Sequence, residues 1–387
     1  MARSSLLGRR VHLSGSISKD ASVAPAAAVE RARQMLGLLV PELVRRGANF
    51  VVPVDAEPTR EDGQPICFDW LVWEALSKNV HLRPTTAPSP LAIAVQHYKT
   101  EDQIPAERES LWDDLRSSPL VRVENAAHWN MASKRMEVQA RFGDVLIAFG
   151  GSEGVEFLAN LYHDAGKPVV PLDLPISGEQ QGARKVFSYG LVSNHSDRLF
   201  RTSDDVGAHG WLNRIHFTAR KEPVAYVAEV VSLLEALAPP RAFGVRLLDP
   251  AHPDFPAVED HFENVVRRVV EDELGYELTV IDGQQPFERA RIDEEIFAKL
   301  HRSAFVIADI TGSRPNCFIE LGYALGRQLP TMVMCREGGQ TPFDITTISG
   351  LRWKSEGSPK DRLAAFREHW NAIQARKPIV SVDPLIP

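Results

Sequence analysis

Short apolar runs alternate with longer stretches in which apolar residues recur every three to four positions, and the rhythm occurs twice along the chain. A run of four to eight apolar residues bounded by turn formers is the mark of a buried strand, and the 3.6-residue spacing that of an amphipathic helix. In the first half, residues 10–14 (RVHLS) predict a strand that turns at Gly15-Ser16. Residues 26–46 predict a long helix with Gly47 as its C-cap. Residues 50–54 and 91–96 predict two more strands. The strongest buried strand is 144–149 (DVLIAF), after which Gly150-Gly151 opens a helix to about Ala165 and 167–172 forms a further strand. Residues 56–90, rich in turn formers around Trp70 and Trp73, are expected to be an insertion.

Residues 222–237 predict a closing helix, with apolar residues at helical spacing (Val224, Val227, Val230, Val231, Leu234), and Pro239-Pro240 stop it. The segment ALAPPR, 236–241, is therefore expected to link two domains, 1–238 and 239–387. The second half repeats the plan, with strands at 243–248, 277–281, 304–310 and 331–334 and helices at 258–274, 292–301 and 317–327. Such alternation predicts an α/β fold class: two doubly wound (Rossmann-like or flavodoxin-like) parallel-sheet domains in tandem, with ligands at the C-terminal strand ends.

Composition narrows the function classes. The 387 residues are 44% hydrophobic, enough for each domain to bury a core. Lys and Arg total 44 against 51 Asp and Glu, and a net charge of −7 gives no broad field for a nucleic-acid backbone. The three cysteines, Cys67, Cys317 and Cys335, form no CxxC pair, and no His spacing suggests a ligand set, so no metal is expected. The first residues lack the apolar stretch of a signal peptide, and no segment approaches 18 uncharged apolar residues, so a cytoplasmic location without membrane contact is expected.

Two places carry candidate chemistry. A strand followed by GGSEG and a helix gathers backbone N–H groups at a helix N-terminus, which makes an anion cradle. Gly150, Gly151, Ser152 and Gly154 would form it, and Gly15 and Ser16 would add donors. The alternative is that these glycines only permit a tight turn. In the second half, Asp309 ends a strand and Glu320 lies in the next helix, with Asn316 between them. Breaking an N-glycosidic bond passes through an oxocarbenium-like sugar, which a carboxylate can stabilise or attack. The alternative here is that Asp309 caps a turn and Glu320 is a solvated helix residue. Arg289, in QPFERARID, either reaches a phosphate or is solvated.

The motifs SGSIS (14–18), RRGANFVVP (45–53) and MASKRMEVQARFGDVLIAFGGSEG (131–154) resemble the SLOG superfamily, which includes LOG-type nucleotide enzymes and nucleotide-sensing modules of bacterial antiviral proteins. The PGGxGTxxE motif of LOG-type enzymes is altered: Phe149 stands at its proline, Val155 at its threonine and Leu158 at its catalytic glutamate. The resemblance therefore implies a nucleotide sensor, with Arg135 and Glu156 as supplementary contacts. Residues 243–353 resemble the nucleoside 2-deoxyribosyltransferase-like and TIR-like group, most specifically in IADITGSRPNCFIELGYALG (307–326). That resemblance implies Glu320 as nucleophile or cation stabiliser, Asp309 as the residue that positions the ribose, and Asn316 as an orienting group. TPFD, 341–344, resembles the PFD segment of the TIR-like members. Ser313, Asp344 and Arg289 are expected as substrate contacts.

Together these features lead to an expected nucleotide-gated N-glycosidase in bacterial anti-phage defence. It would take NAD or another nucleotide as substrate and a nucleotide-derived ligand as activator, need no cofactor, and form a homo-oligomer. A nucleoside deoxyribosyltransferase or hydrolase of nucleotide salvage, and a non-catalytic nucleotide-sensing scaffold, stay open.

Overall fold

A computed structural model of the protein describes residues 4–97, 101–126, 131–192, 196–281, 292–340, 342, 345, 348 and 350–374. The chain divides after Ala238 into two compact units. Each is built on one sheet whose strands pair only in parallel, with helices between the strands.

In unit 1 the strands β1 (Arg10–Ser16), β2 (Asn49–Pro53), β3 (Ala92–Gln96), β4 (Val121–Asn125), β5 (Val145–Gly150) and β6 (Val169–Leu172) lie in the order β4-β3-β2-β1-β5-β6. Its helices are α1 (Ala26–Arg45), α2 (Asp69–Asn79), α3 (Ala106–Ser117), α4 (Met131–Phe142), α5 (Glu153–Asp164), α6 (Gly182–Val192), α7 (Gly207–Arg214) and α8 (Pro223–Ala236). Successive side chains of a strand point to opposite faces, so a strand buried on both sides must be apolar throughout. Val145, Ile147 and Phe149 of β5 enter the core with α1, α2 and α8, while Leu146 and Ala148 meet Leu158, Ala159 and Tyr162 of α5.

Residues 56–90 are not an excursion from this plan. They hold α2, the crossover helix between neighbouring parallel strands β2 and β3, and its Trp70 and Trp73 are buried. The indole N–H groups of these residues donate to the carbonyls of Asp55 (2.9 Å) and Pro53 (3.0 Å). Arg33 of α1 donates to Pro65 O at 2.8 Å, and Arg60 donates to Ala24 O at 2.8 Å. The turn formers thus build a pinned wall over the end of β1.

Unit 2 has β7 (Arg241–Val245), β8 (Glu277–Val280), β9 (Phe305–Asp309), β10 (Thr331–Arg336) and β11 (Leu351–Trp353) in the order β11-β10-β9-β7-β8. Helix α9 (Phe255–His261) runs directly into a wider-wound π-helical stretch, Phe262–Glu273, followed by α10 (Ile292–His301), α11 (Pro315–Gly326) and α12 (Pro359–Gln374). One sheet face packs Phe305 and Ile307 against Phe262, Trp353 and Trp370. The other packs Val306 and Ala308 against Leu300, Cys317, Leu321 and Ala324. Among the described residues no helix is long and apolar enough to cross a membrane.

In both sheets the chain reverses its direction of strand addition once, between β1 and β5 and between β7 and β9. Loops leave in opposite directions at such a point and open a crevice above the strand ends.

Candidate functional site

At the crevice of unit 1, Gly15 pairs with Phe149 and Ser16 with Gly150. A Cβ on Gly15 would run into the Phe149 carbonyl oxygen, so only glycine lets the two strands approach this closely. Gly150 and Gly151 have φ of 58° and 72°, the left-handed region that side chains rarely adopt. The Gly151 N–H is already used, donating to Ser16 O at 2.7 Å. The first intrahelical bonds of α5 come from Val155 and Glu156 to Ser152 O, at 3.0 and 3.2 Å. The N–H groups of Glu153 and Gly154 precede those bonds and lie at the positive end of the helix dipole. Ser152 at this end is exposed.

Glu156 does not join it. Its carboxylate accepts the Gly182 N–H at 2.9 Å and Lys185 Nζ at 2.7 Å, and the Lys185 hydrogen bond holds it below the usual carboxylate range. It locks α5 to α6. Arg135, on α4, is ion-paired with Asp55, which stands just past the end of β2.

That pair opens onto a group of side chains that the motifs did not single out. Ser16 forms an antiparallel bridge with Cys67, and Ile17 N–H donates to Ile66 O at 2.9 Å, so the pinned loop lies along the extension of β1. It presents Cys67 and Asp69 beside Asp55. Glu57 is clamped by Arg108 through bonds of 2.9 and 3.1 Å, and Arg108 also pairs with Glu74. Among the described residues no group hydrogen-bonds the Asp69 carboxyl. Burial pushes it up to about 7; Arg135 opposes the rise, and Asp55 and Glu57 add to it. Burial, followed by Asp69, pushes the Cys67 thiol up to about 12, which leaves it a protonated, unreactive group at neutral pH. The available signal was positional: an acid after the second strand run, VVPVD, and an acid opening a helix.

In unit 2 burial raises the titration of the Cys317 thiol and both expected carboxylates, Glu320 and Asp309, add to the rise, yet the two have different surroundings. Asp309 shares the parity of Phe305 and Ile307, so its side chain enters the face opposite to α11. It is fully buried and accepts Thr311 N–H at 2.8 Å and the Trp353 indole N–H at 2.9 Å. Burial still pushes it up to about 6, against the pull of those hydrogen bonds. The turn-capping alternative thus describes Asp309, and the expected contact with a ribose is corrected to a core role.

Glu320 lies half-buried in the second turn of α11, and burial alone pushes it up to about 7. Leu321 and Ala324 pack on the sheet, whereas Ile319, next to Glu320, is 60% exposed. Asn316 and Ser313 are exposed at the start of the helix, Ser313 with φ of 51°. Arg314 and Asp249 pair at 3.3 Å, joining the loops after β9 and β7 across the crevice. Asp344 and Arg289 lie outside the described residues. No cluster of three or more His, Cys, Asp or Glu suited to a metal occurs among the described residues.

Residues 6–234, nearly the whole of unit 1 and more than half of the chain, match the family described as ATP nucleosidase Cap17-like, N-terminal. The chain belongs to this family. ATP nucleosidase Cap17 of Escherichia coli strain KTE188 is 24% identical over 177 residues, which are 43% of this chain and 32% of that protein. A second Escherichia coli protein of the same name gives the same figures. The match therefore spans about a third of the length of these relatives. The X-ray structure of TM1055, a structural-genomics target, aligns over 59% of this chain and 98% of its own at 18% identity, with a TM-score of 0.29, a likeness too low to carry any inference. The Cap17-like region contains the glycine turn, Asp55, Asp69 and Arg135, while Asp309 and Glu320 fall beyond it.

Proposed function

We propose that the protein is a nucleotide-gated N-glycosidase of anti-phage defence. Unit 1 holds a nucleotide-derived ligand, its phosphate at the N-terminus of α5 and the rest of the molecule towards Arg135 and Asp69. Unit 2 hydrolyses the bond between base and ribose in NAD or ATP, assisted by Glu320. Water supplies the hydroxyl that ends on C1′; adenine departs from ATP carrying water's other proton, whereas nicotinamide departs from the cationic NAD ring already neutral and that proton goes to solvent. Membership of the Cap17-like family supports the nucleosidase class and brings ATP forward beside NAD.

The observation that carries the reading is the Glu320 carboxyl, half-buried near the start of the helix that rises from the β7/β9 crevice. Burial pushes it up to about 7, and no ion pair of Glu320 occurs among the described residues. A general acid, base or ion stabiliser is most useful with its titration near the working pH. As the ionised group beneath C1′, Glu320 stabilises the oxocarbenium-like sugar, so base release rises with pH to a plateau above about 7.

A second reading is favoured by Asp69, which sits in the matched unit, is likewise pushed up to about 7 and accepts no hydrogen bond among the described residues. In that reading the bond is broken in unit 1. The two are separated by incubating the full chain with NAD, ATP and deoxynucleosides, with and without a cell nucleotide extract, and following base release by chromatography. The leading reading expects release to disappear in Glu320→Gln and the response to extract to disappear in Gly151→Val. Release that survives Glu320→Gln but not Asp69→Asn moves the chemistry to unit 1. Exchange onto a second added base marks a transferase, and no release under any condition leaves a nucleotide-sensing scaffold.

A further inference from the structure

The buried carboxylate of Asp309 stands at the start of a chain of hydrogen bonds that runs outward to the crevice. Its Oδ2 accepts the Trp353 indole and its Oδ1 accepts Thr311 N–H. The Thr311 hydroxyl oxygen then accepts Arg336 N–H at 2.9 Å, at the end of β10. The Arg336 guanidinium donates to Asp254 at 2.7 Å, in the loop between β7 and α9, and to Ser355 Oγ at 3.3 Å, just beyond β11. Thr311 is buried and the Arg336 guanidinium half-exposed, so the chain leads from core to surface. Every described loop at the C-terminal ends of β7, β9, β10 and β11 is held by one of its members.

We propose, building on the assignment of glycosidic chemistry to unit 2, that Asp309 is a positioning residue. Through Thr311 and Arg336 it sets the loops after β7 and β10 against the β9–α11 turn that carries Ser313, Arg314 and Asn316. A carboxylate suits this place because it only accepts, and both neighbours that face it are donors. An asparagine turns an NH2 group towards the N–H of Trp353 or of Thr311 and loses one of the two bonds. The Thr311 hydroxyl is the junction: its methyl can be matched by valine, but its oxygen is what reaches β10.

Hydrogen–deuterium exchange of the full chain tests this without requiring turnover. Thr311→Val is expected to speed exchange about five- to tenfold in peptides covering 249–255 and 335–339, while Thr311→Ser retains wild-type protection. Asp309→Asn is expected to loosen the same peptides together with 310–316. The proposal is overturned if Thr311→Val leaves 249–255 unchanged, if Thr311→Ser behaves like Thr311→Val, or if exchange rises equally in α12, which marks general destabilisation. Where base release is measurable, Thr311→Val raises KM several-fold with kcat nearly kept, whereas Glu320→Gln lowers kcat. If wild type releases no base, the functional reading falls, and the exchange pattern still decides the role of Asp309.

Discussion

Asp69 makes the sharpest statement at the scale of single residues, because its charge is the wrong one for its place at neutral pH. Its ordinary titration near 3.8 is moved to about 7 in the fold. Between those values the folded chain holds a proton that the unfolded chain has lost, so stability is greatest at the acid side and is lost as pH rises through the window. Asparagine imitates the protonated acid. Asp69→Asn should therefore gain on wild type as pH rises from 5 to 8, by scanning calorimetry, and an equal difference at both values sets the argument aside. Chemistry at this scale was only partly legible in the sequence. Glu320 and the glycine turn were marked by their motifs, but Asp309 was misplaced because adjacency in sequence does not show which face of a sheet a strand-end residue enters. Asp55 and Asp69 belong to no spaced motif; they become neighbours only when β2 and α2 are packed.

Elements were far more legible, since burial on both faces demands unbroken apolar runs, and DVLIAF and FVIAD supply them. What escaped were the weakly marked pieces. β4 reads VRVEN, half-buried at the sheet edge, and β11 is three residues long; neither is distinguishable from loop by its own pattern. Helix α2 was hidden by the turn formers around it. One unmarked contact decides an element's end: Lys167 Nζ donates to the carbonyls of Ala140, Arg141 and Gly143, at 2.7, 3.0 and 2.7 Å, closing the C-terminus of α4. A cation there answers both the orphan carbonyls and the negative end of the helix dipole. Lys167→Met keeps the stem and removes all three donors, and should cost unit 1 about 3 kcal/mol in urea unfolding followed by tryptophan fluorescence. A loss within about 0.5 kcal/mol would show that water takes over the capping.

At the scale of the whole molecule the two units share one electrostatic plan, a buried neutral histidine and one or two raised carboxyls. His12 in unit 1 and His261 in unit 2 are both pushed down to about 3 by burial. The unfolded chain takes up protons on these rings near 6.5, so stability is lost as pH falls from 6.5 towards 3. Asp69, Asp309 and Glu320 act in the opposite sense, since the folded chain takes up their protons first, at about 7, 6 and 7. From pH 7 to about 5 the contributions largely offset each other, and below about 4 the histidines continue to pull together with carboxylates held low in the fold, such as Glu156 and Asp144. Melting temperature should accordingly hold level from pH 7 to 5 and fall steeply below. His261 isolates the effect: it stacks on Trp353 with ring centroids 4.2 Å apart and planes 10° from parallel, yet neither ring nitrogen has a partner among the described residues. Phenylalanine keeps the stack and removes two unsatisfied polar atoms, a change that is neutral or stabilising when shape is preserved. His261→Phe should be at least as stable as wild type at pH 7.5, with an advantage that widens at pH 5.5 and again at pH 4. A difference that stays constant with pH would mean that His261 titrates alike in the folded and unfolded chain, and that its burial beside Trp353 is not what destabilises the protein in acid.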